Sequence, residues 1–129
     1  MGNYDVSQVT DFSHVFDATR NPRAAIFNHP DISSWDLSNA VTMEGMFRDA
    51  EVFHQDISQW QVSKVTSMLD TFRGCRSFNS ALGNWNVGQV QDMQRMFQGA
   101  EVFNRDISQW DTSRVTTMSE LFQGAYSEF

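Results

Sequence analysis

The chain has 129 residues, nine Lys plus Arg against sixteen Asp plus Glu, and a formal net charge of -7. One lysine, Lys64, and eight scattered arginines form no basic stripe for a phosphate backbone, which argues against nucleic acid and anionic membrane surfaces as partners. Apolar residues at 40% and aromatics at 13% exclude a disordered chain, and a lone Cys75 excludes an intramolecular disulfide.

Residues 1–129 read as a single repeat domain. A degenerate N-terminal copy, 4–34, precedes repeats 35–59, 60–84 and 85–109 and a truncated repeat 110–129. The clear copies open on Trp35, Trp60, Trp85 and Trp110, 25 residues apart. With Trp as column one, column nine is always Met (Met43, Met68, Met93, Met118) and column thirteen always Phe (Phe47, Phe72, Phe97, Phe122). Column sixteen is Ala50, Cys75, Ala100 and Ala125, and column nineteen is Phe53, Phe78 and Phe103. In the first copy Tyr4 takes the Trp column, Val9 that of Val65, Phe12 that of Met68 and Phe16 that of Phe72. Six extra residues there fall around Thr19-Arg20-Asn21-Pro22-Arg23 and near His29-Pro30, turn-forming strings expected to make a loop on one side of the stack. No apolar run is long enough to span a bilayer, so no membrane insertion is expected, and Met1-Gly2-Asn3-Tyr4 opens no signal peptide.

Each copy is expected to be a strand followed by a short helix. Ile57-Ser58-Gln59-Trp60-Gln61-Val62 matches an L-x-x-L-x-L strand, with Trp60 inward and Gln59 and Gln61 outward. Ser63, with Ser7, Ser38 and Ser113 in its column, is placed to cap a helix. Val65, Met68, Phe72 and Cys75 then fall at the spacing of one helical face, and Gly74, Gly99 and Gly124, with Asp49 as the exception, supply a left-handed residue at its end. The expected fold class is an α/β repeat solenoid. It would be a leucine-rich-repeat-like stack of about five strand-plus-short-helix units with a parallel sheet on one face.

Met96-Phe97-Gln98-Gly99-Ala100, followed by the run from Phe103 through Asp106-Ile107-Ser108-Gln109-Trp110 to Met118, resembles the BspA-like surface-protein repeat, which is also known from mycoplasma lipoprotein-associated domains. The resemblance covers essentially the whole chain. It implies an extracellular or cell-surface repeat module for adhesion or partner binding, with no catalysis and no cofactor. Ala81-Leu82-Gly83 in place of D-I-S, Gly88 in the Ser column and Tyr4 in the Trp column depart from the pattern. They put any function of a continuous Asp array in doubt.

The residues give no catalytic constellation: His14, His29 and His54 fall at unlike columns, and no G-x-S-x-G, H-E-x-x-H or G-x-G-x-x-G string occurs. His29 and His54 with Asp31 and Asp56 are the nearest approach to a metal site, but the next repeat offers only Asn79 and Ser80, so no metal is expected. Asp31, Asp56 and Asp106 recur in one column, which is broken at Ala81. They are expected to accept hydrogen bonds from loop amides rather than to ligate calcium. Cys75, the methionines, the phenylalanines and the tryptophans all read as core.

The candidate binding surface is the polar pair flanking each Trp on the exposed sheet face: Ser34 and Asp36, Gln59 and Gln61, Asn84 and Asn86, Gln109 and Asp111. Two functions are consistent with these readings. One is recognition of a protein or glycan ligand. The other is a structural unit of a longer array that associates end to end through Leu121, Phe122, Tyr126 and Phe129 of the last repeat.

Overall fold

The computed structural model describes residues 5–125. Tyr4 of the first copy, and Tyr126 and Phe129 of the terminal apolar set, lie outside the described residues. The described residues contain no α-helix and no β-strand, so the expected α/β solenoid with its parallel sheet is overturned, and with it the leucine-rich-repeat likeness. The regular elements are two 3-10 helices, Pro22–Ile26 and Pro30–Ser34, both in the first copy. None of the described residues forms a helix long and apolar enough to cross a membrane.

What joins the repeats is a main-chain ladder built on single-residue parallel bridges. Asp11 bridges to Thr42, Thr42 to Ser67, Ser67 to Asp92 and Asp92 to Thr117. From column nine to column fifteen, alternate amides donate forward. Met43 N–H reaches Ser67 C=O at 3.0 Å, Gly45 reaches Leu69 at 2.8 Å, Phe47 reaches Thr71 at 3.0 Å and Asp49 reaches Arg73 at 2.7 Å. The amides between them close turns inside the repeat, as Met46 to Met43, Arg48 to Gly45 and Ala50 to Phe47. Both sets of buried donors are thereby satisfied without a helix or an extended strand.

The helix is interrupted at left-handed residues. Asp70 (φ 58°) and Gly74 (φ 74°) are left-handed, and the corresponding pairs in the neighbouring repeats, Gly45 with Asp49 and Arg95 with Gly99, are too. A left-handed residue every fourth position stops each turn before a fourth-neighbour hydrogen bond can form. The amide of Phe72 goes instead to Met96 C=O, 2.9 Å away in the next repeat. There is consequently no helix for Ser7, Ser38, Ser63 and Ser113 to cap, and the amides of Ser38 and Ser113 donate to the carboxylates of Asp36 and Asp111. The strand fails because its residues are spent on turns. Ser58 N–H bonds Asp56 Oδ1 at 2.9 Å and Trp60 N–H bonds Ile57 C=O at 3.1 Å, the local competition that Asx turns offer to a ladder.

The core is a set of ring columns. Phe16, Phe47, Phe72, Phe97 and Phe122 stack at centroid spacings of 5.5, 5.7, 5.7 and 5.6 Å. Phe27, Phe53, Phe78 and Phe103 stack beside them at 6.0, 5.8 and 5.9 Å. Each repeat also pairs its own two rings, as Phe72 with Phe78 at 4.2 Å. The tryptophans tie neighbours together through polar bonds as well: the indole N–H groups of Trp60, Trp85 and Trp110 donate to the carbonyls of Ile32, Ile57 and Leu82. Trp35, at the junction with the irregular first copy, keeps a buried indole nitrogen with no partner among the described residues.

The inserted segment folds by its own turn chemistry. Asn21 Oδ1 accepts from Arg23 N–H ahead of Pro22, and His29 Nδ1 accepts from Asp31 N–H ahead of Pro30, so each proline opens a short helix at a position that needs no amide. Just before it, the fully buried Asp17 carboxylate accepts from the Thr19 amide at 2.8 Å, the Thr19 hydroxyl at 2.6 Å and His14 Nδ1 at 2.7 Å. Burial pushes this carboxyl up, but the bonds from Thr19 and His14 outweigh it and hold it below the ordinary 3.8. A depressed carboxyl contributes stability that is present above its unfolded value and lost as pH falls through its folded one. Thermal unfolding midpoints are therefore expected to stay level above about pH 5 and to fall steeply below about pH 4, with Asp17→Asn flattening that acid limb.

Candidate functional site

The aspartate column is broken once, and a groove lies at the break. Asp56 and Asp106 each accept the amide two residues on, from Ser58 at 2.9 Å and from Ser108 at 2.8 Å. Between them the equivalent positions are Ala81 and Gly83, so one carboxylate and one hydroxyl are missing from the surface. Two open cavities of about 300 and 330 Å³ occupy this space and share Ser58, Ala81 and Arg105 in their walls. His54, Asp56, Asn79 and Ser80 complete one side, and Gln59, Gly83, Asn84 and Asp106 the other. Gly83 is needed here, because a Cβ on it would stand 2.8 Å from the backbone oxygen of Asp106.

The groove is polar and fixed. Bonds from the Ser58 hydroxyl and amide, then from Ser80, and the nearby Arg105 charge hold the Asp56 carboxyl below its ordinary value against a smaller effect of burial. The Ser108 hydroxyl and amide do the same for Asp106, so both walls are anionic at neutral pH. Arg105 lies across the gap, its Nε donating to Asn79 C=O at 2.9 Å. Ser80 Oγ accepts from Ile57 N–H at 3.1 Å and lies 3.4 Å from Asp56 Oδ1. The site thus presents carboxylate and amide acceptors on two walls with the Arg105 guanidinium between them.

All eight sequence-predicted site residues are exposed, but Ser34 ends a 3-10 helix, the others lie on turns and loops, and none is on a sheet face. Asp36, Asn86 and Asp111 are engaged in their own turns, accepting from the amides of Ser38, Gly88 and Ser113 at 2.9, 3.0 and 3.0 Å. Ser34 Oγ donates to Asp31 C=O at 2.9 Å, and Gln61 Nε2 to Gln59 C=O at 3.4 Å. Gln59 and Asn84 are the two that line the groove, while Gln109 lines neither cavity. Sequence reading left out Ala81, Gly83 and Arg105. Its usable signal was the interruption of D-I-S by Ala81-Leu82-Gly83, read there only as a loss.

The other candidates are committed to packing. His54 Nδ1 contacts Val52 C=O at 2.8 Å and its amide donates to Asn28 Oδ1 at 2.9 Å, a contact repeated two units on by Asn104 N–H and Asn79 Oδ1 at 3.1 Å. Among the described residues no three His, Cys, Asp or Glu side chains gather to hold a metal ion. Cys75 Sγ donates to Phe47 C=O, and burial pushes its thiol well up, which removes the thiolate a nucleophile requires. Trp60 and Trp85 are buried and offer no platform for stacking a ligand.

A family model described as "Mycoplasma protein of unknown function, DUF285" matches residues 1–82 and again residues 51–128. No curated protein and no solved structure matches the chain.

Proposed function

The chain belongs to this Mycoplasma family of unknown function, DUF285, and we propose that it is a non-enzymatic recognition module of the BspA-like surface-repeat kind, which binds a protein or glycan ligand at the cell surface. The observation that carries the reading is the groove at Ala81: an otherwise regular array lacks one rung, and polar groups of both signs converge on the gap. Its volume stands at the small end of ligand sites, about the size for one sugar ring or one or two side chains of a peptide. Adhesion through this groove fits a repeat whose Phe columns pack inside while the break at Ala81 and Gly83 opens on the surface.

The test restores the missing rung. Arrays of glycans and of peptides are probed with the labelled chain and with Ala81→Asp, which repeats the residue found at Asp56 and Asp106. Binding is expected to weaken by about tenfold or more, equivalent to about 1.4 kcal/mol, in Ala81→Asp and in Arg105→Ala with thermal unfolding unchanged. Affinity for every identified ligand unchanged in both variants contradicts the reading.

A further inference from the structure

Three arginines converge on one carboxylate in the internal repeats, and we propose that they form a binding site for a tetrahedral oxyanion, a phosphate or sulfate, free or as an ester group. Arg95 alone satisfies Asp70: its Nε donates to one carboxylate oxygen at 2.9 Å and its Nη2 to the other at 3.4 Å. That fork engages both oxygens. Arg48 Nη1 stands 3.8 Å from Oδ2 and Arg73 Nη1 3.8 Å from Oδ1, one nearest each oxygen and both beyond hydrogen-bond range. Neither of these two side chains donates a hydrogen bond to any described residue, and the Arg48 Nε is buried as well. A buried charged donor that meets no acceptor is costly, so an acceptor brought from outside the chain is stabilising at this place.

Charge and spacing select the ligand. Arg48 and Arg73 hold one column of adjacent repeats, next in sequence to Phe47 and Phe72, whose rings lie 5.7 Å apart. Two charge-assisted bonds of about 2.8 Å, made to different oxygens of one anion, span such a gap. The two side chains are 30% and 33% exposed, so the guanidinium groups are partly desolvated yet open to an ion. Asp70 is the one carboxylate within 4.0 Å of either group among the described residues, and three guanidinium groups against it leave two positive charges, the number a dianion needs. Asp92 and Glu120 also act on Arg95, which leaves Arg48 and Arg73 as the pair that holds the anion. Their planar forks match the oxygens of phosphate or sulfate. Two uncompensated cations in a chain of net charge -7 suit one ion or ester group and not a polyanion, in keeping with the missing basic stripe. None of the four residues lines the groove at Ala81, so this is a second site.

The experiment titrates inorganic phosphate, and separately sulfate, into the 129-residue chain by isothermal calorimetry at constant ionic strength, with Arg48→Gln, Arg73→Gln and Asp70→Asn in parallel. One ion is expected to bind per chain, and about tenfold or more weakly in each arginine variant. Asp70→Asn separates a ligand site from a purely structural cluster. It removes the carboxylate that competes for the guanidinium groups, so it is expected to bind phosphate about tenfold more tightly, and phosphate is expected to raise its unfolding midpoint more than that of the wild type. Circular dichroism identifies a variant that has not folded. The Nε resonances of Arg48 and Arg73 in the wild type, expected to shift on adding phosphate and not on adding chloride, then replace it. Phosphoserine and glucose 6-sulfate in place of the free ions tell the two sources apart: equal affinity assigns the site to an ester group of a larger molecule, and weaker binding to the ion itself. No saturable binding of phosphate or sulfate below about 10 mM, arginine variants that bind as the wild type does, or an Asp70→Asn that binds no more tightly would each overturn the inference. None of these outcomes bears on ligand binding at Ala81.

Discussion

Replacing Phe72 by alanine is expected to destabilise the protein by about 3–5 kcal/mol, measured by urea unfolding followed through tryptophan fluorescence. The ring is fully buried and meets Phe47 and Phe97 at 5.7 Å, Phe78 at 4.2 Å and Trp85 at 6.2 Å. Removing it leaves a void between two repeats as well as inside one, because the columns run through the interfaces. In a stack where each unit contacts only its neighbours, a weak central interface also uncouples the halves. A broader transition with a lower m-value is therefore expected alongside the lower midpoint. A loss below about 1.5 kcal/mol would mean that the site collapses around the deletion and that the columns are not the main source of cohesion.

Asp70→Asn is expected to cost about 2 kcal/mol at low salt, and less as salt is raised. The side chain is 9% exposed and stands among three arginines, with Arg95 Nε at 2.9 Å and Nη2 at 3.4 Å, and Arg48 Nη1 and Arg73 Nη1 each at 3.8 Å. The bond from Asp70 is the chief reason the Arg95 guanidinium is held above its ordinary value. Without the negative charge three guanidinium groups repel one another at one place. They are about a third exposed or less, so solvent screens part of the effect, and the figure lies below that for a fully buried pair. Asparagine tolerates the left-handed backbone at φ 58°, so the substitution tests the charge and not the turn. A change below about 0.5 kcal/mol that is the same at all salt concentrations would show the cluster to be a solvated surface feature.

The columns of Phe and Met were legible because only packing repeats a bulky residue at a fixed interval, and the structure stacks the phenylalanines ring on ring and buries Met43, Met68 and Met93. The helix was not legible as an error. Apolar residues three and four apart are what a helical face requires, and Met43, Phe47 and Ala50 show that consecutive tight turns require it equally. The deciding residues are left-handed positions occupied by His14, Gly45, Asp70, Arg95 and Glu120, five residue types of which one is glycine. The amides of His14, Gly45, Asp70 and Arg95 reach the next repeat, a contact that no window along the chain contains, and Glu120 keeps the same conformation in the last described unit. Gly74 was rightly placed in the left-handed region, yet it sits inside the turn that Cys75 N–H closes on Phe72 C=O and against Asp49, whose carboxylate a Cβ would overlap. The same limit applied to the site. Gln59 and Asn84 were legible as exposed, but a groove needs neighbours in space, and what makes this one is the absence of two side chains at Ala81 and Gly83 together with Arg105 folding back over Asn79.

Nuclear magnetic resonance couplings transmitted through hydrogen bonds report each amide's acceptor directly, and they test the ladder on which both fold and groove depend. The expected couplings join Phe47 N–H to the Thr71 carbonyl, Phe72 to Met96 and Arg95 to Ser119, each from one repeat to the next. Couplings from Phe72 back to Met68, four residues earlier, would instead show a helix in every repeat and contradict the structure described here.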